Sequence, residues 1–184
     1  MRMFHAGGFT LIEILVALLV LALGISGAAG AQLSALRARH ASSLTSQATE
    51  LASSLADRMR ANAVLLRTSD DNPYAQLRYD ALEDGAPEAS SACFSGHCSA
   101  VQMAQFDVDE VRAAVHAGFP GGRILVCRDA AVWDAVRHAL TWDCAPHANA
   151  PLVIKIGWRG KRADGSAVDG SVAPMVALAV EVLE

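Results

Sequence analysis

The chain has 184 residues, of which 53% are hydrophobic, and its formal net charge is −4. That length suits one globular domain together with a membrane anchor, and the weakly acidic balance without a basic stripe argues against a nucleic-acid-binding protein. The mean hydropathy of +0.29 is high for a soluble protein, and much of it comes from one apolar segment near the N-terminus.

This apolar segment runs from Ile14 to Leu36 and contains 23 residues without a charge. As a helix it would be about 35 Å long, which is enough to cross a hydrocarbon core of about 30 Å. Glu13 stands at its edge, where an ionisable side chain held against lipid costs about 3 kcal/mol. We therefore expect Glu13 to have a functional partner that offsets this cost.

A short leader, residues 1–8, precedes the apolar segment and carries Arg2 but no acidic residue. A secretory signal has its small-residue cleavage site after the apolar core, whereas the small pair Gly7-Gly8 lies before it. Cleavage there would leave the helix on the mature chain. The basic leader is consistent with an N-terminus in the cytoplasm, a single pass through the inner membrane and the rest of the chain in the periplasm.

The contiguous run Gly8-Phe9-Thr10-Leu11-Ile12-Glu13 resembles the type IV prepilin signal. The resemblance implies that a prepilin peptidase cleaves between Gly8 and Phe9 and N-methylates Phe9. It also implies that Glu13 pairs with the N-terminal amine of a neighbouring subunit during assembly, which agrees with the physics because a buried charge is tolerated when it is paired. The alternative interpretation is a plain, uncleaved membrane anchor.

The helix is predicted to continue beyond the apolar segment, from Phe9 to about Arg67, before Ser69–Pro73 stops it. Residues 9–36 would form the transmembrane or filament-core part, and residues 37–67 an amphipathic continuation. The continuation has apolar residues at mostly three- and four-residue spacing, namely Leu44, Ala48, Leu51, Leu55, Met59 and Leu66. Small residues in the anchor either allow close packing and loosening in a filament or reflect ordinary tolerance of glycine in membrane helices; these are Gly24, Gly27 and Gly30.

The stretch from Gln47 to Asn62 ends in Arg-Met-Arg-Ala-Asn and looks like the corresponding run of PilV-type minor pilins. Its charged residues Asp57, Arg58 and Arg60 have two interpretations. They form a solvated helix face, or they contact a neighbouring pilin.

Residues 68–184 are predicted to form a globular periplasmic head. Ser69–Ala100 reads as an irregular loop, and Asp107–Ala117 as a short helix that Asp107 caps with Glu110 as partner. An antiparallel sheet of three or four strands follows, with the candidates Arg123–Cys127, Ala139–Cys144, Leu152–Trp158 and Val172–Leu183. The fold class is therefore α+β, a type IV pilin-like fold in which a long N-terminal helix packs on a small antiparallel sheet.

All four cysteines lie in the predicted head, where an oxidising compartment allows disulfides. Local spacing and strand position favour the pairs Cys93–Cys98 and Cys127–Cys144, although four cysteines allow three pairings. Zinc binding is the competing interpretation, but no Cys-x-x-Cys pair exists. The further zinc ligands in that case would be His97, His116, His138 or His147.

No catalytic motif is found in the sequence, and neither an enzyme nor a cofactor is expected. The resemblance predicts a PilV-type minor pilin of the type IV pilus that acts in pilus assembly and in adhesion or motility. Its partners would be the major pilin, other minor pilins, the prepilin peptidase and the inner-membrane assembly platform. Two alternatives stay open: a pseudopilin of a type II secretion system, and a membrane-anchored periplasmic binding module without a filament role.

Overall fold

The computed structural model describes residues 10–68, 72–88, 93, 96–147, 149–160 and 173–181. The chain divides into two units, Met1–Ser43 and Leu44–Glu184. It consists of a long N-terminal helix and a small antiparallel sheet, which confirms the predicted α+β class. The residues predicted for cleavage, Gly8 and Phe9, and both ends of the predicted strand Val172–Leu183 lie outside the described residues.

The first helix, α1, spans Leu11–Ala61. No proline interrupts its sequence, so the backbone ladder can run without a break. Within the first unit every residue from Thr10 to Ser43 is exposed, although most of this surface is apolar. Among the described residues α1 is the one helix that is long and apolar enough to cross a membrane.

The prediction that α1 continues to about Arg67 is wrong, because α1 ends at Ala61 and a separate short helix, α2, occupies Ala63–Thr68. The interruption is at Asn62. Its backbone carbonyl accepts a hydrogen bond from the amide of Leu65, three residues later, at 3.0 Å, which is the spacing of a 3₁₀ turn. Its side-chain amide donates to the carbonyl oxygen of Ala100 at 2.7 Å, so a contact made far along the chain accompanies the break.

A third helix, α3, spans Ala100–Gly118 and begins seven residues before the predicted start at Asp107. Ser99 is its N-cap: the Ser99 hydroxyl accepts from the Gln102 backbone amide at 3.3 Å, and the Gln102 side chain accepts from the Ser99 amide at 2.9 Å. This is a complete capping box. Asp107 therefore lies inside the helix, and its predicted role as a cap is wrong.

The described residues form six strands, β1 (Arg78–Asp80), β2 (Arg123–Arg128), β3 (Trp133–Asp134), β4 (Ala139–Leu140), β5 (Leu152–Gly157) and β6 (Val176–Val180). The main sheet has four of them in the order β1-β2-β5-β6, all antiparallel. Ile124 lies opposite Ile156, and Ile154 lies opposite Leu178. A separate hairpin pairs β3 with β4, so only the first two residues of the predicted strand Ala139–Cys144 are in a strand.

One hydrophobic core joins the C-terminal part of α1, the inner face of α3 and one face of the main sheet. The predicted stripe on α1 points into this core, except that Leu51 is only partly buried. Burial of each such apolar side chain stabilises the fold by about 1.5–3 kcal/mol. The largest fully buried apolar side chains are Leu55, Met59, Leu77, Ile124, Ile154 and Ile156.

The opposite face of the sheet is covered by the connection between β2 and β5, residues 129–151. All six residues of β5 are buried, including Gly157. A Cβ atom on Gly157 would lie 2.9 Å from the Trp142 side chain, so glycine is needed for Trp142 to pack there. The indole also contacts Arg123, whose guanidinium carbon lies 4.4 Å from the ring centroid.

Candidate functional site

The predicted assembly residue Glu13 lies in the first turn of α1. The carbonyl oxygen of Thr10 accepts hydrogen bonds from the amides of Glu13 and Ile14 at 3.1 and 3.3 Å, and these bonds close the first described turn of α1. A carboxylate in this position interacts favourably with the positive end of the helix dipole. Glu13 is exposed and is the only charged residue from Thr10 to Leu36.

An apolar surface surrounds the helix after Glu13. Large side chains on every side of α1 are exposed, from 79% for Leu11 to 49% for Leu33. A helix that is apolar all round is stable only where lipid or other apolar helices cover it. The glycines of this part leave open space, since a Cβ atom would meet nothing within 4 Å at Gly24, Gly27 or Gly30.

A polar network connects α1 with α3 inside the head. The Arg58 guanidinium donates to Asp107 at 3.1 Å and to Glu110, and the Tyr74 hydroxyl donates to the other oxygen of Asp107 at 2.5 Å. Asn62, one turn after Arg58 on the same face, donates to the first residue of α3. The Arg-Met-Arg-Ala-Asn run therefore fixes α3 against α1.

The charges in this network favour the protonated base and the protonated phenol. The hydrogen bond to Glu110 raises the pKa of Arg58, against the effect of burial, and Asp107 adds to the rise. Burial raises the pKa of Tyr74, and its hydrogen bond to Asp107 raises it further. The pair Asp57–Arg60 is different: it joins at 2.8 Å on the exposed surface, as expected for a solvated face. Arg58 instead bonds to two carboxylates of α3 in the same chain. It therefore belongs neither to a solvated helix face nor to a contact with a neighbouring pilin, the two interpretations predicted from the sequence.

A second ionic cluster lies under the connection over the outer sheet face. The Lys155 ammonium lies 2.5 Å from Asp129, with side-chain exposures of 1% and 0%, and also donates to the carbonyl oxygen of Asp143 at 2.6 Å. Asp129 in turn accepts from the amides of Ala131 and Ala145 at 2.8 and 3.2 Å. Burial raises the pKa of Asp129, but the hydrogen bonds from Lys155 and the two amides outweigh it, and the pKa is lowered.

The local sequence does not identify this cluster. In β5, Lys155 alternates with apolar residues and looks like a residue on a solvated face. The sequence signal for burial of Lys155 is that both of its neighbours, Ile154 and Ile156, are apolar and that the strand has no other charge. Its partner Asp129 lies 26 residues earlier, and only the fold brings the two together.

Both cysteine pairs are joined by disulfides in the structure, Cys93–Cys98 and Cys127–Cys144, with Cα atoms 5.9 and 6.3 Å apart. Thiolate ligands for zinc are therefore absent from these four positions. Cys127 lies in β2, but Cys144 lies in the connection after β4. The second bridge thus ties this connection to the sheet and does not join two adjacent strands.

Comparisons with known families match two adjoining parts of the chain. Residues 3–29 match the prokaryotic N-terminal methylation motif, and residues 30–109 match a family described as type IV pilin Tt1218. No curated protein and no solved structure matches the chain.

These matches cover the helix start with Glu13, the apolar surface of α1, the Arg58 network except Glu110, and the first half of α3. The motif match includes the contiguous Gly8–Glu13 run, and the second match covers α1 from residue 30 onward and the beginning of the head. Over residues 3–109 the chain is therefore similar to type IV pilins, and its long apolar helix and small antiparallel sheet agree with that similarity.

Proposed function

We propose that this chain is a PilV-type minor pilin of the type IV pilus, with its head in the periplasm before assembly. In this proposal the prepilin peptidase cleaves between Gly8 and Phe9 and methylates the new N-terminus. The subunit then leaves the inner membrane and packs with the major pilin and other minor pilins. Residues 9–36 supply the filament core, and residues 68–184 the outer head.

The observation that carries the proposal is the combination of a methylation motif with an apolar helix exposed on every side. The motif match ends at residue 29, within the part of α1 whose large side chains are half exposed or more. In a pilin, lipid covers such a surface before assembly, and the helices of neighbouring subunits cover it afterwards.

In this proposal Glu13 sets the axial position of one subunit relative to its neighbour. After cleavage the best available cation is the Phe9 amine. Within one subunit the helix direction separates the two groups by about one turn, roughly 5–6 Å. An amine on an axially shifted neighbour can come closer and bury the pair. Loss of one partner of a desolvated pair costs about 3–5 kcal/mol, which is two orders of magnitude or more in an assembly equilibrium.

The PilV-type assignment rests on the Arg-Met-Arg-Ala-Asn run. In the structure this run has a specific role, since Arg58 and Asn62 both bond to α3. A head built around such a network suits a subunit whose shape must fit specific neighbours. The second candidate, a pseudopilin of a type II secretion system, uses the same signal and fold class.

The test is recovery of the Glu13→Gln chain in sheared pili, measured by immunoblot beside the membrane fraction. We expect cleavage and membrane insertion to be unchanged and incorporation to fall about 100-fold. Glu50→Gln is the matched control, because Glu50 is an exposed carboxylate on the same helix outside the apolar surface. Mass spectrometry of the mature wild-type chain should find N-methylated Phe9 at its start.

Equal amounts of the Glu13→Gln and wild-type chains in the sheared fraction would contradict the assembly role of Glu13. An intact Met1 terminus in cells with active peptidase would contradict the pilin processing itself. Recovery of the chain only in cells that assemble a secretion pseudopilus would favour the second candidate.

A further inference from the structure

The two arginines that follow the apolar surface of α1 differ from the arginines of the head. Arg37 and Arg39 are exposed, and within the described residues they are the only arginines without a hydrogen bond, ion pair or ring contact of the side chain. Arg58 and Arg60, for comparison, are both paired with carboxylates. The pair Arg37 and Arg39 is called the arginine collar below.

The position of the collar along α1 indicates which environment it meets. It follows directly after the uncharged stretch from Ile14 to Leu36, which is about 35 Å long. A hydrocarbon core is about 30 Å thick. When this stretch spans the core, the collar lies at the level of the lipid headgroups.

The arrangement of the collar around α1 indicates the kind of partner. Two positions along a helix are about 200° apart around its axis, so the two guanidinium groups lie on nearly opposite sides. A single protein partner would meet only one of them. A layer of lipid headgroups surrounds the helix and supplies phosphate oxygens to both, and guanidinium groups bind phosphate well because their donors match its geometry.

We propose that Arg37 and Arg39 bind the phosphate groups of phospholipids where α1 leaves the membrane, and that they favour anionic lipids there. The proposal rests on the membrane insertion of α1 stated under the proposed function. It gives the subunit a fixed depth in the bilayer before assembly, because the collar cannot enter the hydrocarbon core without desolvating two charges.

The experiment uses the full chain with a tryptophan reporter, Leu33→Trp, placed one turn before the collar. Vesicles of phosphatidylcholine with a minority of phosphatidylglycerol carry bromine on the acyl chains of one lipid at a time, because bromine quenches the reporter on contact. The chain without the reporter gives the background from Trp133, Trp142 and Trp158. One basic residue near an anionic leaflet is worth about fivefold in local preference, so we expect quenching to report an excess of phosphatidylglycerol of up to about 25-fold.

The collar variant Arg37→Gln/Arg39→Gln should remove this excess, so that quenching by brominated phosphatidylglycerol falls and quenching by brominated phosphatidylcholine rises to the levels set by their mole fractions. The matched control, Arg60→Gln/Arg137→Gln, removes the same charge from two exposed arginines that are paired with carboxylates, one in α1 and one in the turn between β3 and β4, and should keep the excess. Raising the salt concentration to about 1 M shortens the screening length to about 3 Å and should reduce the excess in the wild type.

Quenching by the two brominated lipids in proportion to their mole fractions in the wild type, or an excess of phosphatidylglycerol that persists in the collar variant, would overturn the proposal while leaving membrane insertion intact. Quenching by neither lipid would mean that the helix is not in the bilayer, and would overturn insertion as well. A collar variant that keeps the lipid excess but is lost from sheared pili would assign the arginines to a protein contact instead.

Discussion

Replacement of Lys155 by methionine tests the buried ionic cluster most directly. Methionine has a similar length and fills the same space, but the change leaves Asp129 charged, fully buried and without its cation. Removal of one partner of a buried pair typically costs 3–5 kcal/mol. Because Asp129 keeps two amide donors at 2.8 and 3.2 Å, we expect a value near the lower limit, about 3 kcal/mol.

The free energy of unfolding of the full chain in detergent, measured by urea titration with near-ultraviolet circular dichroism, gives this value. The control is Arg60→Met, which breaks an exposed ion pair and should cost less than about 1 kcal/mol. The double variant Asp129→Asn/Lys155→Met should recover most of the loss, because neither charge stays buried and the asparagine oxygen still accepts from the amides.

The pH dependence of the free energy of unfolding independently checks whether the Asp129 charge stabilises the fold. Since the pKa of Asp129 is lowered in the folded chain, its contribution to stability is present above its unfolded value of about 3.9 and is lost as the pH falls below that value. Without Lys155, burial is opposed only by the amides and the pKa rises. The cost of Lys155→Met should therefore be largest at neutral pH and shrink towards pH 4. A variant as stable as the wild type at pH 7 would refute the reasoning.

Two further substitutions and one peptide-mapping experiment test other parts of the head. Tyr74→Phe removes the donor to the buried Asp107 and should lower the free energy of unfolding by about 1–3 kcal/mol, measured by the same titration, whereas a neutral effect would mean that water replaces the hydroxyl. Gly157→Val should displace Trp142 from the sheet and change its fluorescence, and an unchanged spectrum would contradict the tight packing. Non-reducing peptide mapping of the mature chain should recover two disulfide-linked pairs and no free thiol, and any other connectivity would contradict the bridges Cys93–Cys98 and Cys127–Cys144.

The long helix and the strongest strand could be predicted because their signals are local. An uncharged run and a stripe at helical spacing specify α1, and a β-rich segment specifies β5. The start of α3 was missed because two sites fit a capping box, at Ser99 and at Asp107, and only tertiary contacts decide between them. Asp107 lies inside the helix, where Arg58 and Tyr74 bond to it across the core.

Other features depend on contacts between distant residues. β1 has only three residues, too few for a periodic pattern, and it exists because β2 provides an edge for pairing. The burial of Lys155 requires Asp129 and the connection above it, neither of which is visible in the local sequence of β5. The break at Asn62 has the same origin, since its side chain bonds to Ala100.

The hairpin of β3 and β4 lies on a connection that is fastened at its base by a disulfide and by the Lys155–Asp129 pair. At its tip, Val136 is 90% exposed, and the side chain of Asp134 holds the turn by accepting from the amides of Val136 and Arg137 at 2.8 and 3.0 Å. Changes at the tip are thus insulated from the core. This turn is accordingly a suitable place to graft an epitope tag, and its sequence can change without loss of the fold.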